Sequence, residues 1–342
     1  VEKEDNNDLF ADMKWMISKS SGVIQLEELI PLDELYFQSH QAGSIGELWK
    51  KHHTALADFI HQYDCSDIFE IGGGHGILAN EYHKLKDTPW TILEPNPAPS
   101  TITKAKYING FFNESFKYNN SFDTVVHSHL FEHVYDPDVF MSQLSNFIPT
   151  DKFMFFSIPH LEIMMERKYT NSINFEHTVY LTEPYVKYLL DKHGFRIVQK
   201  NYFMEDHSIF YAVVRDDSVK PTNLPVNLYE KNKTAYINYV NFHKDLITLL
   251  NQNIEENTYI FGAHIFTQYL IAFGLDLTKI KGVLDNDPFK HGKRLYGSPL
   301  IVSSPKILKD VINPTVILRA GIYNKEVKKD ILENINSNTK FI

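Results

Sequence analysis

The chain has 342 residues, 43% hydrophobic and 23% charged, with 43 acidic against 34 basic side chains and a net charge of −9. That length allows two domains, and the balance is ordinary for a soluble globular protein. No Lys/Arg cluster is dense enough to track a phosphate backbone, which argues against nucleic acid as a partner. The single cysteine, Cys65, rules out an intramolecular disulfide framework and a cysteine-rich metal site. No apolar run approaches the roughly eighteen residues of a membrane span and no signal-type start is seen, so a soluble, cytoplasmic protein is expected, with no membrane partner.

Residues 1–46 read as a polar N-terminal arm. It contains Ser18-Lys-Ser-Ser-Gly, then Val23-Ile-Gln-Leu and the segment Leu35–Gly46. Residues 47–62 carry apolar positions at 48, 49, 56, 59 and 60, the spacing of an amphipathic helix. From 67 onward, strands and helices alternate as in a parallel sheet covered on both faces. Strands are expected near 67–71, 90–94, 105–108, 122–127, 152–157, 194–202 and 207–214, and helices near 77–85, 136–147 and 183–193. Pro184 opens the last helix and Gly194 closes it, and the final two strands follow as a hairpin.

Asp217, Pro221 and Pro225 mark a linker, and a long helix is expected over about 228–254. A second, smaller α/β unit occupies the remainder. Its strands are expected at Thr258–Gly262, Ile280–Leu284, Pro299–Val302 and Val316–Leu318, with helices at Ala263–Phe273, from Pro305 and from Asn324. Its first turn, Gly262-Ala263-His264, has one glycine, which argues against a dinucleotide there. The expected division is an arm over 1–46, a first α/β domain over 47–218, a linker and long helix over 219–256, and a second α/β domain over 257–342.

The chemistry-bearing stretch is Asp67-Ile-Phe-Glu-Ile-Gly-Gly-Gly-His-Gly. A short apolar strand runs into Gly72, Gly74 and Gly76, where the backbone can turn sharply and approach a ligand, and the helix from Ile77 points free N–H groups at it. Glu70 ends that strand, and Glu94 ends the next, where a carboxylate can take both hydroxyls of a ribose. Phe111 and Phe112 follow the third strand, as flanks for an adenine or as core. Ser128 and His129 reach the sheet's C-terminal edge, with Glu132 and His133 just beyond. His127, His129 and His133 fall on a strand end and a turn without a recognised ligand spacing, so no metal is expected. Glu176 and His177 precede the helix at Pro184; the imidazole can take a proton near neutral pH, and the carboxylate can orient it. His207 opens the last strand, where it can face a substrate.

The glycine loop with Glu70 and Glu94 resembles the S-adenosylmethionine site of class I methyltransferases. The chain as a whole resembles the sugar C-methyltransferases, which methylate a ketone-adjacent carbon of a nucleotide-linked deoxysugar. Val23-Ile-Gln-Leu with Leu35, Tyr36 and His53 is similar to that family's segment after its zinc module. Glu176-His177-x-x-Tyr180 is similar to the end of its Tyr-His-Glu-His-x-x-Tyr signature, and His207-Ser208 stands where the family has His-Gly-Gly-Ser. The resemblance implies a class I Rossmann-like sheet followed by a smaller Rossmann-like substrate domain. It implies S-adenosylmethionine as cofactor, held by Glu70, Gly72, Gly74, Gly76, Glu94, Phe112, Ser128 and His129. It implies His177 as general base with Glu176 assisting, and Tyr36, Tyr180 and His207 at a small-molecule substrate, a nucleotide sugar.

The chain departs from the family where Ser18 and Ser21 replace zinc-binding cysteines, Asn174-Phe175 replaces the leading Tyr-His, and Ser39-His-Gln-Ala-Gly replaces a tyrosine-rich motif. These departures bear on the sugar and on the acceptor atom, so O- or N-methylation of another small molecule stays open. So does a non-catalytic protein on the same fold, although a retired site has no need of the intact glycines and Glu94.

Overall fold

The computed structural model describes residues 8–35, 46–100 and 102–342, so Tyr36 and the segment 39–43 lie outside the described residues. In chain order the strands and helices are β1 (Trp15–Ile17), β2 (Ile24–Leu26), α1 (Leu32–Leu35), α2 (Glu47–His61), β3 (Ile68–Ile71), α3 (Ile77–His83), β4 (Trp90–Glu94), β5 (Lys106–Asn109), β6 (Thr124–Ser128), α4 (Pro137–Phe147), β7 (Phe153–Pro159), α5 (Leu161–Glu166), α6 (Glu183–Lys192), β8 (Phe195–Phe203) and β9 (Ser208–Arg215). They continue with α7 (Leu228–Asn253), β10 (Thr258–Phe261), α8 (Ile265–Ala272), β11 (Ile280–Leu284), β12 (Val302–Ser303), β13 (Thr315–Leu318), α9 (Asn324–Asp330) and β14 (Lys340–Phe341). Two compact units result: one of Trp15–Leu161 and Phe175–Tyr229, the other of Glu162–Asn174 and Glu230–Ile342 with the N-terminal stretch ending at Lys14.

The larger unit holds a seven-stranded sheet in the order β5-β4-β3-β6-β7-β9-β8. Its members pair in parallel from β5 to β7, while β9 runs antiparallel to both β7 and β8. β3, β4 and β6 are buried along nearly their whole length, as strands of a sheet covered on both faces are. Leu56, Phe59 and Ile60 of α2 and Leu78 and Tyr82 of α3 pack with Ile68, Ile92, Val126 and Phe155 in the core. α4 starts where Asp136 accepts the N–H groups of Asp138 and Val139 and Pro137 takes the first turn. α6 stops at Gly194, with φ +73°. The strand order reverses between β3 and β6, and the C-terminal ends of those two strands frame the crevice where open α/β sheets bind ligands.

The strands β1 and β2 form a hairpin absent from the sequence expectation. Ser18–Gly22 makes its turn, and Ser18 Oγ accepts from the Ser21 N–H at 3.3 Å. The hairpin has a positional task. β2 donates from Leu26 N to Thr178 O at 2.8 Å and accepts at Ile24 O from Tyr180 N at 2.9 Å, so the segment that carries His177 is strapped to it.

The smaller unit is a five-stranded parallel sheet ordered β12-β11-β10-β13-β14. Leu246, Ile247 and Leu250 of α7 pack with Ile260, Val283 and Ile317, so the long helix belongs to this core. A second cluster holds Leu284, Leu308, Val316 and Ile331. The segment from Pro305 is a 3₁₀ helix ending at Asp310, and β14 adds a strand the sequence pattern does not announce. Asp8 grips Arg294 in two parallel bonds of 2.6 and 2.7 Å and also accepts the Gly297 N–H.

Candidate active site

β3 delivers the chain to the sheet edge, where Gly72, Gly74 and Gly76 have φ of +75°, +49° and +72°. A Cβ on Gly74 would meet no heavy atom within 4 Å, so this bare face of the loop is turned to open space. Gly73 is the opposite case. A Cβ there would fall 2.7 Å from Glu70 Cδ and from Ile92 Cγ2, so the loop lies directly on the strands beneath it.

Glu94, at the end of β4, accepts the Gly74 N–H on Oε2 and the Asn96 N–H on Oε1, each at 3.1 Å. Loop and carboxylate are therefore joined, and the carboxylate keeps lone pairs for further donors. The arrangement fits an adenosyl group: a Cβ-free backbone curve, a helix N-terminus behind it and an acceptor pair at the neighbouring strand end. Glu70 lies underneath, 2% exposed, and accepts from Trp90 Nε1 at 2.7 Å. Burial, with the Glu94 charge adding, pushes its carboxyl up to about 8 against the pull of the indole bond. Its place is below the loop, as a support. Phe112 packs among Phe116, Phe140 and Phe147, while Phe111 is exposed.

The end of β6 carries the second group of residues. Ser128 Oγ bonds Ser157 Oγ of β7 at 2.8 Å. His129 follows in the left-handed region at φ +48°, a conformation that non-glycine residues seldom hold. Its Nε2 lies 2.8 Å from Ser208 Oγ and its Nδ1 lies 3.1 Å from Glu132 Oε1. His207 Nδ1 bonds the same Ser208 hydroxyl. His52, from α2, is fully buried beside them, with ring centroids 5.1 Å from His129 and 5.3 Å from His207. Burial holds His52 well below the ordinary imidazole range and takes His207 down to about 3.

Glu132 is the hub of a third group. It is 1% exposed, in a 3₁₀ turn over Phe131–His133, and one atom each of Glu132, His133 and His177 lie within 4.8 Å of one another. Burial pushes the Glu132 carboxyl up, but His129, then His133 and His177, outweigh it and hold it down at about 2. Burial meanwhile takes His133 down to about 4, which limits the charge it can lend to Glu132. The nearer contact, His129 Nδ1 at 3.1 Å against 3.9 Å for His133 Nε2, decides for the carboxylate form. His177 packs edge-on against His133 at 5.0 Å, and Glu176 Oε2 lies 3.9 Å from His133 Nδ1. Tyr180 is 1% exposed, so its ring serves the packing of this segment.

The structure thus brings Glu94 to the glycine loop, His129 to His207, and His177 to His133. It separates His127, which stacks on Phe156 at 5.0 Å in the core. Sequence reasoning passes over His52. The signal was a histidine at position 52 on the apolar face of α2, between Trp49 and Leu56. It also leaves Glu132 and His133 without a role, because their partner His177 is distant in sequence.

Residues 46–200 match a family model described as a methyltransferase domain. No curated protein sequence matches the chain. Among solved structures, it is similar to an S-adenosylmethionine-dependent methyltransferase from Mesorhizobium loti, at 14% identity over 47% of this chain and 96% of that one, with a TM-score of 0.39. It is also similar to a possible histamine N-methyltransferase from Thermotoga maritima, at 14% identity over 54% of this chain and 98% of that one, with a TM-score of 0.41. A third is magnesium protoporphyrin IX methyltransferase from Synechocystis with bound S-adenosylhomocysteine, at 11% identity over 49% of this chain and 84% of that one, with a TM-score of 0.38. The family model falls on the unit that contains the glycine loop and Glu94. Residues 46–200 thus match a methyltransferase domain, and the seven-stranded sheet they contribute to has the class I Rossmann-like fold.

Proposed function

We propose that this enzyme methylates a nucleotide-activated sugar, with His177 as the general base. The observation that carries the reading is the grouping of His177 with His133 and the buried Glu132, on a segment that β2 straps in place. The similarity of Glu176-His177-x-x-Tyr180 to the sugar C-methyltransferase signature supports the sugar. When bound, S-adenosylmethionine supplies an electrophilic methyl group, so the protein's tasks are position and proton removal. Gly72, Gly74, Gly76 and Glu94 hold the adenosyl end, and Ser128 and His129 stand at the sheet edge beside it. His177 takes the acceptor's proton on a ring nitrogen, while Glu132 and Glu176, through His133, keep the imidazole pair oriented. His207, 6% exposed, borders the acceptor side, and the small α/β unit is the proposed substrate domain.

A second reading is methylation of oxygen or nitrogen on another small molecule. Ser39-His-Gln-Ala-Gly, in place of the family's tyrosine-rich motif, favours it, since the resemblance assigns those tyrosines to contact with the sugar and help in proton transfer. Incubation with labelled S-adenosylmethionine and a panel of nucleoside diphosphate sugars, followed by mass spectrometry, separates the two. Product with the added methyl on a ring carbon supports the first reading. Methylation only of hydroxyls, amines or non-sugar acceptors replaces it by the second.

A further inference from the structure

Three histidines from well-separated parts of the sequence meet in the larger unit: His52 on α2, His129 after β6 and His207 before β9. One ring nitrogen of each lies within 4.8 Å of the others. Tetrahedral zinc with Zn–N bonds of about 2.0–2.1 Å would draw such nitrogens to about 3.3 Å apart. We propose that His52, His129 and His207 form a binding site for a divalent metal ion of the zinc type, with a fourth position left for water or an acceptor oxygen.

His52 makes the first argument. It is 0% exposed, and neither ring nitrogen has a hydrogen-bond partner among the described residues. An imidazole used only for packing would carry two unsatisfied polar atoms where a phenyl ring would carry none. Trp49 stands edge-on to all three rings, its centroid 5.1, 4.8 and 5.0 Å from those of His52, His129 and His207.

The hydrogen-bond chain makes the second argument. Glu132 Oε1 lies 3.1 Å from His129 Nδ1, on the far side of the ring from Nε2, which faces Ser208 Oγ at 2.8 Å; an ion bound at Nε2 would displace that hydroxyl contact. His207 Nδ1 is engaged with the same Ser208 hydroxyl, so Nε2 is the nitrogen of that ring left for an ion. A carboxylate behind a histidine, with the far nitrogen turned inward, is the outer shell that metal-binding histidines use. The ion-pair contacts of Glu132 are imidazoles, and a cation beyond His129 would balance this buried carboxylate. His129 also keeps a left-handed backbone at the same point.

The inference is independent of the acceptor's identity. It revises the expectation of no metal, which rested on cysteine count and sequence spacing. Its test uses the full chain, stripped with a chelator and titrated with Zn²⁺ and separately with Co²⁺. The wild type should take up about one ion per chain and show the visible absorption of tetrahedral cobalt. His52→Phe keeps a ring in the cavity and should weaken binding at least about 100-fold, and Glu132→Gln about 10–100-fold. If His52→Phe fails to fold, as judged by circular dichroism, His207→Gln carries the same expectation. Unchanged affinity in either folded variant overturns the site. So does weak uptake of several ions that no variant alters. Loss confined to His177→Phe overturns it too, by placing the ion on Glu132, His133 and His177. S-adenosylmethionine binding, measured on the same samples, reports on the methyltransferase reading separately.

Discussion

The indole of Trp90 donates a 2.7 Å hydrogen bond to Oε2 of Glu70, so one strand of the central sheet supports a carboxyl buried in its neighbour. Burial raises that carboxyl from 4.5 in the unfolded chain to about 8 in the folded one. A raised folded value means that the native state holds the proton more tightly. Any stability tied to it is intact below pH 4.5 and is lost as pH rises toward 8, by up to about 1.4 kcal/mol per pH unit. Glu70→Gln should therefore unfold in urea with a flatter pH dependence than the wild type, and its relative stability should improve from pH 5 to pH 8. Parallel curves for the two proteins would show that Glu70 is not protonated in the native state.

Glu94→Ala should weaken S-adenosylmethionine binding by about 1.5–3 kcal/mol, the worth of hydrogen bonds to a charged acceptor. Part of that loss comes through the loop, because Glu94 also fixes the Gly74 N–H. Calorimetry gives the affinity directly, and an undiminished value removes Glu94 from the ribose.

Neighbouring glycines should separate stability from binding. Gly73→Ala drives a methyl into Glu70 and Ile92 at 2.7 Å, an overpacking that should cost about 1–3 kcal/mol in thermal or urea unfolding. Gly74→Val meets no protein atom at Cβ and bears chiefly the strain of φ +49°. It should leave most of the stability and lose cofactor affinity, because its side chain enters the approach the loop keeps open. A Gly74→Val protein that binds S-adenosylmethionine normally would falsify this placement of the cofactor.

His177→Ala should lower the methyl-transfer rate by roughly 10²–10⁴ and leave S-adenosylmethionine affinity nearly intact. Residue 177 lies on the segment strapped to β2, apart from the glycine loop. Glu176→Gln should cost less, as its carboxylate reaches His133 at 3.9 Å. Near-full turnover by His177→Ala would make the histidine structural. Joint loss of rate and cofactor affinity would make the segment part of the cofactor pocket.

The larger sheet was legible in the sequence because strands buried on both faces must read as apolar runs, as Ile68–Ile71 and Trp90–Glu94 do. The glycine loop and Glu94 were legible because a strand end, a turn and the next strand end lie close in sequence. The β1–β2 hairpin and β14 escaped notice, since strands of two or three residues carry no periodicity to count. The histidine groups escaped for a different reason. His52, His129 and His207 meet only after the sheet has ordered its strands, and no local spacing announces a meeting of that kind. Tyr36 lies outside the described residues, and its assignment rests on the sequence resemblance.

The clamp between Asp8 and Arg294 joins residues 286 positions apart. On a ribosome, Asp8 emerges early and its partner late, with the whole of Trp15–Leu161 and Phe175–Tyr229 made in between. The methyltransferase unit can therefore collapse while the N-terminal stretch is still without its anchor, since domains fold as units during synthesis. The smaller unit is completed last, and Asp8 is docked only when translation has passed Gly297. A stretch made at the start of the described chain thus finds its place only near the end of synthesis.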